Sequence, residues 1–480
     1  MSTAGTIQKR LEKALQRASQ SDDRELAGRI RDEGHRLVFL LNGLLRSSRM
    51  YSTENTALEA PSQEFATALK GLMDLLGAVH VVCVEDQIYV NDVRLRVRPT
   101  EQPVVDHLVA ELGRHDVGGI SFHQSLDSTA VKDLAVALGR SAEPGRARAA
   151  LAARLSALAD VELSGKWRFR VGGEATARRL DYDEALRRAG PVVQEATANL
   201  AANRLPNPLP VRRAVIDLVD SLRDNPAPAA AAPLRRRTLG VGEQHLLSVC
   251  GLSLLLGRAV GLPEAALSDL GVAAMLHDVG YVRGADRAGH PAAGARMLLR
   301  QRGFHEAKVR RLLAVLEHHL PCTPTDPSAG ESPSLFARIL RIAEDYELLV
   351  SARPGQAPPL APPIALAVMW ASRGREYDAI LLALFVQVMG FFPPGTLLEL
   401  ADGRWVVSVS GGRDAERFPW PVVRVVREAD GRPQDAHEEL DLFGVRNGIR
   451  PKSVLEPSLQ GFDVAGALDA AFGKAAPAPG

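Results

Sequence analysis

Cysteine is scarce in this sequence, with three in 480 residues, at Cys83, Cys250 and Cys322. They lie far apart and form no Cys-x-x-Cys pair, which argues against a disulfide framework and is typical of a reducing cytoplasm. Aromatic residues are also few, at 5%, whereas apolar residues reach 46% and charged residues 24%. This is the ordinary composition of a soluble globular protein. We therefore expect a soluble, cytoplasmic protein.

An excess of charge of one sign and a long apolar run are missing as well. The net charge is +1, so no global electrostatic attraction to nucleic acid or to an anionic membrane is expected. The longest apolar stretch, from Ala379 to Phe392, contains Gln387 and is too short to span a bilayer. The charged N-terminus lacks the apolar core of a signal peptide. We expect neither nucleic acid nor a membrane as a partner.

The pattern along the chain predicts a multidomain α+β protein with an N-terminal α/β domain, an all-α helical bundle and a small C-terminal β module. We expect the α/β domain to have a sensory or docking role, through which protein partners bind. The predicted segments are an N-terminal helical extension (1–34), the α/β domain (35–175), a helical connector with a Pro/Ala linker (176–235), the helical bundle (236–394), the β extension (395–445) and a C-terminal tail (446–480).

Turn and linker signals give sharper local predictions. Two β-branched stretches are separated by Glu85-Asp86-Gln87, which predicts a hairpin. The stretch that begins at Val161, VELSGKWRFRV, predicts a further hairpin. The stretch from Asn225 to Pro233 is almost entirely proline and alanine, which predicts an exposed linker at a domain boundary.

Histidine is concentrated in one region, because six of the twelve histidines lie between His245 and His319. A single histidine on an apolar helix is more often a hydrogen-bonded core residue than a metal ligand. Here, however, metal-capable side chains recur at the ends of successive predicted helices, and the stretch AAMLHDVGY places a histidine and an aspartate side by side. The candidate ligands are His245, His277, Asp278, His290, His318, His319 and Asp345.

Imidazole and carboxylate donors suit Fe, Mn, Zn or Mg and do not form a soft-metal site. An adjacent His-Asp pair at a helix end can send one side chain to each of two metals, or bridge them with the carboxylate. Two metals about 3.5–4 Å apart activate water and clamp a phosphoryl group. We therefore predict two divalent metal ions, with His277 and Asp278 as the central catalytic pair.

At these positions the sequence resembles the HD superfamily of metal-dependent phosphohydrolases, and within it the HD-GYP branch, from about Gly242 to Gly395. The resemblance implies that the helical bundle is of the HD type and that its substrate is a cyclic dinucleotide such as cyclic di-GMP or a related nucleotide. It is carried by the order of the histidines, the His290-Pro291 pair, the RILRIAEDYELL helix around Asp345 and the Arg353-Pro354 pair.

The sequence departs from the family pattern at two places. Tyr281 stands where the family has a phosphate-binding lysine, and a tyrosine stays neutral up to a pH of about 10. Arg283, Arg287 or Arg353 are the candidates to contact the substrate phosphate in its place. After His318-His319, Leu320 replaces an acid and the GYP loop is missing.

These departures leave two functions open. One is a binuclear-metal phosphodiesterase of bacterial cyclic-dinucleotide signalling with an altered substrate loop. The other is a catalytically inactive regulatory or protein-interaction module that keeps the HD fold. The intact ligand set favours the enzyme, and the altered substrate apparatus favours the regulator.

Overall fold

A computed structural model describes the chain from residue 23 to residue 472, except for residues 52–54, 86, 141–146, 167–179, 237–238, 303–305, 324–331, 354, 356, 412–413 and 435–438. The chain divides into two compact units. The first comprises Met1–Ala177, Glu195–Arg213 and Arg296–Val309, and the second comprises Arg178–Gln194, Ala214–Ala295 and Arg310–Gly480.

The first unit combines helices with a five-stranded antiparallel sheet in the order β3-β2-β1-β4-β5. Its strands are β1 (Val79–Val84), β2 (Gln87–Val90), β3 (Val93–Arg94), β4 (Gly119–Phe122) and β5 (Val161–Ser164). Its helices are α1 (Asp23–Ser48), α2 (Glu59–Leu76), α3 (Gln102–Arg114), α4 (Ser128–Gly139) and α5 (Ala147–Arg154).

Alternation along the strands determines which side chains the sheet buries on each face. Val79, Val81 and Cys83 belong to the large core that includes side chains from the helices, because every second residue of a strand points to the same face. Val82 and Val84 lie in a second, smaller apolar cluster with Leu209. The sheet is therefore covered on both faces.

The predicted hairpin is confirmed, since Val84 pairs with Gln87 in the antiparallel β1–β2 ladder. The second strand of the hairpin predicted from Val161 lies outside the described residues. The proposed boundary at residue 34 falls inside α1, which is continuous across it. Ile30 is already part of the first unit's core, so this helix packs on the domain and does not end before it.

The next two helices are α6 (Tyr182–Ala201) and α7 (Pro208–Ser221), and each contributes residues to both units. The helices that follow are α8 (Ala227–Ala231), α9 (Val241–Val260), α10 (Glu264–Leu276), α11 (His290–Leu298), α12 (Glu306–Glu317), α13 (Leu335–Val350), α14 (Pro362–Ala371) and α15 (Ala379–Met389). At the centre of the second unit α9 packs on α10, α13 and α15. Most of the α9 side chains are buried, which explains its nearly continuous apolar sequence.

The expected exposure of the Pro/Ala stretch is wrong. Residues Ala227–Ala231 form α8, followed by a 3₁₀ turn at Ala232–Leu234, and Ala229 to Pro233 are buried within the second unit. Alanine has the highest helix propensity, and proline is tolerated in a helix's first turn. Small side chains also let α8 pack against α9. The alanine-rich stretch therefore forms a short, packed helix and not an exposed linker.

The second unit ends in another five-stranded antiparallel sheet, in the order β10-β6-β7-β8-β9. Its strands are β6 (Leu397–Leu400), β7 (Trp405–Ser410), β8 (Val422–Arg427), β9 (Glu439–Asp441) and β10 (Pro451–Val454), and its helices are α16 (Leu442–Val445), α17 (Pro457–Gln460) and α18 (Val464–Phe472).

The predicted C-terminal tail is therefore wrong up to residue 472. Strand β10 pairs with β6, and Val464 and Leu468 of α18 are buried against Leu397 and Val407. The prediction of a multidomain α+β chain with a helical middle region and a small β module is confirmed. No helix in the described part of the chain is long and apolar enough to cross a membrane.

Candidate metal centre

Five helices bring the candidate ligands together, and all of these residues belong to the second unit. His245 lies in the first turns of α9, His277 caps the C-terminus of α10 and Asp278 follows it, and His290 begins α11. His318 and His319 follow α12. The histidine cluster, as we call this set together with Glu344 of α13, consists of His245, His277, Asp278, His290, His318, His319 and Glu344.

The cluster contains two groups whose donor atoms lie within 4.8 Å of one another. One is formed by His290, His318 and His319, and the other by His245, His277, Asp278 and Glu344. The carboxylate of Asp278 connects them, because its Oδ1 is 3.0 Å from His290 Nε2 and its Oδ2 is 3.2 Å from His245 Nε2. A binuclear metal centre needs two neighbouring sites, each with three or more donor atoms, and a carboxylate that connects them.

Backbone carbonyls orient two of the imidazoles. His277 Nδ1 lies 2.7 Å from Ala274 O, and His318 Nδ1 lies 2.8 Å from Val315 O. A carbonyl can only accept, so Nδ1 carries the proton in both rings and Nε2 keeps its lone pair. His277 Nε2 and Glu344 Oε2 are buried and have no hydrogen-bond partner among the described residues. Buried acceptors without donors are costly, and a divalent cation would satisfy them.

The charges of the cluster also suit a cation. Burial lowers the pKa of His277 and of His318, so both imidazoles are neutral. Burial opposes ionisation of Asp278, but His277, His245 and His290 outweigh it and hold the pKa of this carboxyl far below its usual range. Burial and the negative charge of Asp278 raise the pKa of Glu344 to about 8. His277 and His318 as neutral imidazoles and Asp278 as a carboxylate have the protonation states that metal ligands require, whereas Glu344 would have to release its proton when a cation binds.

His245 is oriented by a carboxylate behind it. Its Nδ1 lies 2.8 Å from Glu347 Oε2, and Glu347 in turn accepts hydrogen bonds from Arg353 at 2.6 Å and from Ser351 at 2.8 Å. Burial lowers the pKa of His245, but its contacts with Asp278 and Glu347 outweigh burial and raise it to about 9. The surroundings of His245 therefore favour positive charge, and a partner of this kind tunes a metal-ligating histidine.

The acidic residue that α13 directs into the cluster is Glu344, whereas the sequence analysis chose Asp345. Asp345 lies 3.0 Å from Arg341 Nε and accepts a hydrogen bond from Tyr377 Oη at 2.9 Å. Consecutive helical residues are rotated by about 100°, so only one of the two can face the histidines. The polar residues at 344, 347 and 351 follow the helical period and are buried, but the sequence alone does not show that this polar face is the one turned to the histidines.

The three candidate phosphate-binding arginines have different surroundings. Arg353 is engaged by Glu347, behind His245, so its guanidinium is already committed to an ion pair. Arg283 and Arg287 are exposed in the segment before α11. Burial and then His290 lower the pKa of His319, and Arg287 adds to this; Arg287 also partly offsets the raised pKa of Glu344, so its charge is felt in the cluster.

Tyr281 covers one side of the cluster. Its ring stacks on His290 with centroids 3.9 Å apart and an interplanar angle of 19°. The side chain is 42% exposed, and burial together with Asp278 raises the pKa of its hydroxyl. The position at which the resemblance implied a phosphate-binding lysine therefore presents a neutral aromatic ring.

Comparisons with known proteins find similarities that include the region of the histidine cluster. The sequence model of the HD domain family matches residues 242–349. A cyclic di-GMP phosphodiesterase of Pseudomonas aeruginosa is 29% identical over 180 residues, covering 33% of this chain and 42% of that relative. The chain thus spans less than half the length of this curated relative. Bd1817, an HDG"Y"P protein from Bdellovibrio bacteriovorus, aligns with 64% of this chain and 93% of its own at 13% identity and a TM-score of 0.35.

The matched HD domain contains every residue of the histidine cluster. The resemblance that the order of histidines predicted is therefore confirmed, although the role of each residue as a ligand stays a prediction. Residues 242–349 of the chain are thus similar to the HD domain family.

Proposed function

We propose that this chain is a binuclear-metal phosphohydrolase of the HD-GYP type, acting on a phosphodiester of a cyclic dinucleotide or a related nucleotide. The observation that carries the proposal is the pair of donor groups joined by Asp278. The similarity to a relative named as a cyclic di-GMP phosphodiesterase supports the substrate class.

In this proposal His290, His318 and His319 would hold one divalent cation, and His245, His277 and Glu344 the other, with Asp278 between them. Such a pair, of Fe, Mn, Zn or Mg, would supply Lewis acidity and an activated water for attack on phosphorus.

The protein's own residues prepare this centre. Glu347 holds the Nδ1 proton of His245, which leaves Nε2 facing Asp278. Ala274 O does the same for His277. Because the rings are fixed before any ligand arrives, little conformational entropy is lost on binding. Arg283 and Arg287 remain the proposed contacts of the substrate phosphate, since Arg353 is paired with Glu347.

The second candidate function is a regulatory module that binds metal and nucleotide without turnover. Its specific support is Tyr281, which stacks on His290 where the family has a lysine. Balancing the negative charge of the phosphodiester beside the metals then depends on exposed arginines such as Arg287, because a neutral phenol cannot add to that charge stabilisation. We expect cyclic di-GMP itself to be hydrolysed slowly or not at all.

The test uses the full chain, purified and loaded with Mn²⁺ or Fe²⁺. Metal content is measured by mass spectrometry, and hydrolysis is followed with bis(p-nitrophenyl) phosphate and with cyclic di-GMP. We expect about two metals per chain and turnover of the generic diester. His277→Ala should remove both, whereas His35→Ala, a change at a half-buried histidine of the first unit, should change neither.

The outcomes separate the two functions. Full metal content in the His277→Ala protein would refute the proposed metal centre. A metal-loaded chain that binds cyclic di-GMP but hydrolyses neither diester would replace the enzyme by the regulatory module. Rapid hydrolysis of cyclic di-GMP would contradict the inferred weakness of the substrate apparatus.

A further inference from the structure

Strand β3 lies at one edge of the first unit's sheet. Its pairing with β2 continues past the strand, since the backbone N–H of Leu95 donates to the carbonyl of Ile88 at 2.9 Å. In an antiparallel ladder, successive residues turn their backbone groups alternately towards and away from the neighbouring strand. The N–H and C=O of Arg94 and Arg96 therefore point away from β2. Those of Arg96 have no hydrogen bond with any residue that the structure describes, so this edge can accept a further strand.

The side chains of the edge segment divide between the two faces of the sheet. Leu95 is buried in the core of the unit, whereas Arg94 and Arg96 are exposed. The register places the arginines on the opposite face, because Arg94 pairs with Tyr89 of β2, and Tyr89 belongs to the small cluster with Leu209. The edge thus presents positive charge on one face and an aliphatic side chain on the other.

The positive charge of this edge is not balanced by the part of the chain that the structure describes. Neither Arg94 nor Arg96 has a side-chain hydrogen bond or an ion pair there. The acids nearest to them in sequence, Asp92 and Glu101, are engaged by Arg212 at 3.0 Å and by His35 at 3.2 Å. Charged side chains on an edge oppose pairing with most strands. A strand of opposite charge is the exception, because opposite charges across a strand pair stabilise it.

A cavity of about 290 Å³ lies beside the same edge. On the core face its wall residues include Val38 of α1, Leu95 and Val97 of the edge segment, and Val105 of α3. The volume is at the lower end of the range for small-molecule sites, and it accommodates an aliphatic side chain. Apolar space on one face and arginines on the other therefore flank a single stretch of backbone.

We propose that this edge binds an extended segment of another protein in which acidic and aliphatic residues alternate. The segment adds to the five-stranded sheet beside β3, and its backbone bonds to that of Arg94 and Arg96. Its acidic side chains meet the two guanidinium groups on one face, and an aliphatic side chain enters the cavity on the other. Backbone bonds then supply affinity, and the alternate side chains supply specificity. This role does not depend on the function of the histidine cluster.

The test is fluorescence anisotropy of a labelled peptide, Glu-Val-Glu-Val-Glu-Val, titrated with the full chain at constant ionic strength. Two control peptides separate the features of the site. Glu-Glu-Glu-Val-Val-Val keeps composition and charge but loses the alternation, and Lys-Val-Lys-Val-Lys-Val keeps the alternation and reverses the charge. We expect saturable binding of the first peptide and at least about ten-fold weaker binding of both controls.

Hydrogen exchange locates the bound peptide on the backbone. The amides of Arg94 and Arg96 should exchange more slowly in the complex, because the added strand accepts from them. The amides of β9, an edge strand of the other sheet, are the control and should exchange as they do in the free chain.

Charge reversal tests the side chains. Arg94→Glu combined with Arg96→Glu should weaken binding of the Glu-Val peptide at least about ten-fold and create binding of the Lys-Val peptide. Both side chains are exposed, so circular dichroism should show an unchanged fold. Arg31→Glu, at an exposed arginine of α1 outside the cavity, is the matched control and should bind as the parent does.

Four results would overturn the proposal. The first is a parent chain that binds the alternating acidic peptide with a Kd above about 1 mM. The second is equal binding of the peptide without alternation, which would indicate charge attraction without strand addition. The third is binding with unchanged exchange of the Arg94 and Arg96 amides. The fourth is equal weakening by the Arg31 substitution and by the paired substitution.

Discussion

Replacing the neighbouring acids of α13 one at a time tests the assignment of the cluster most directly. Glu344→Gln and Asp345→Asn each exchange a carboxylate for an amide of nearly the same shape. Glu344 is 4% exposed and belongs to the group with His245, His277 and Asp278. Asp345 is occupied by Arg341 and Tyr377. Glu344→Gln therefore removes a carboxylate from the histidine cluster, whereas Asp345→Asn removes one from Arg341 and Tyr377.

The expected effects differ by more than an order of magnitude. Glu344→Gln removes one oxygen donor, together with the negative charge that Glu344 carries once a cation has displaced its proton, and we expect metal affinity to fall about 100-fold, roughly 2.7 kcal/mol. Asp345→Asn leaves all the clustered donors in place, so metal affinity should change less than about three-fold. Asp345→Asn should instead lower the free energy of unfolding by about 1–2 kcal/mol, as expected for the loss of a hydrogen-bonded charged group. The loss stays limited because Arg341 keeps a second partner in Glu376.

The assay is competition for Mn²⁺ or Zn²⁺ against a fluorescent chelator, with urea unfolding of the metal-free proteins run in parallel. Asp345→Asn should shift the unfolding curve and leave the metal titration almost unchanged, and Glu344→Gln should shift the metal titration. If Asp345→Asn lost as much metal affinity as Glu344→Gln, the geometric argument for Glu344 would be refuted.

Four further results are expected. Tyr281→Lys alone should not produce rapid cyclic di-GMP hydrolysis, because the segment that recognises the base would still differ; a large gain in kcat would contradict this. Glu347→Gln should weaken metal binding about 10–100-fold by releasing an oriented imidazole, and an unchanged metal titration would argue against the orientation. Leu254→Ala, at a fully buried position, should cost about 2–5 kcal/mol of unfolding free energy, whereas Leu459→Ala, at a side chain that is 81% exposed, should cost less than about 0.5 kcal/mol. Limited proteolysis should spare Ala227–Ala231 while the second unit is folded, and a first cut there would mean that this helix is not packed.

Local chemistry alone was enough to predict much of this protein. Strand alternation and the turn at Glu85 predicted the first hairpin, because period-two burial and turn preferences act over a few residues. The order of histidines at helix ends predicted the cluster, since metal-capable residues at successive helix termini are rare by chance. The β module after the helices followed from its short β-branched strands and its Asp-Gly turn at Asp402-Gly403.

Only the tertiary structure decided which of two adjacent acids on α13 faces the histidines. Two neighbouring residues do not reveal how a helix is rotated about its axis relative to the helices that pack on it. The same holds for Arg353, whose charge is taken up by Glu347, and for Tyr281, whose stacking on His290 depends on where α11 begins. The proline- and alanine-rich stretch before α9 shows the physical reason most simply. Its composition permits either an exposed linker or a short helix. The helix forms because its small side chains pack closely against α9 and become buried there.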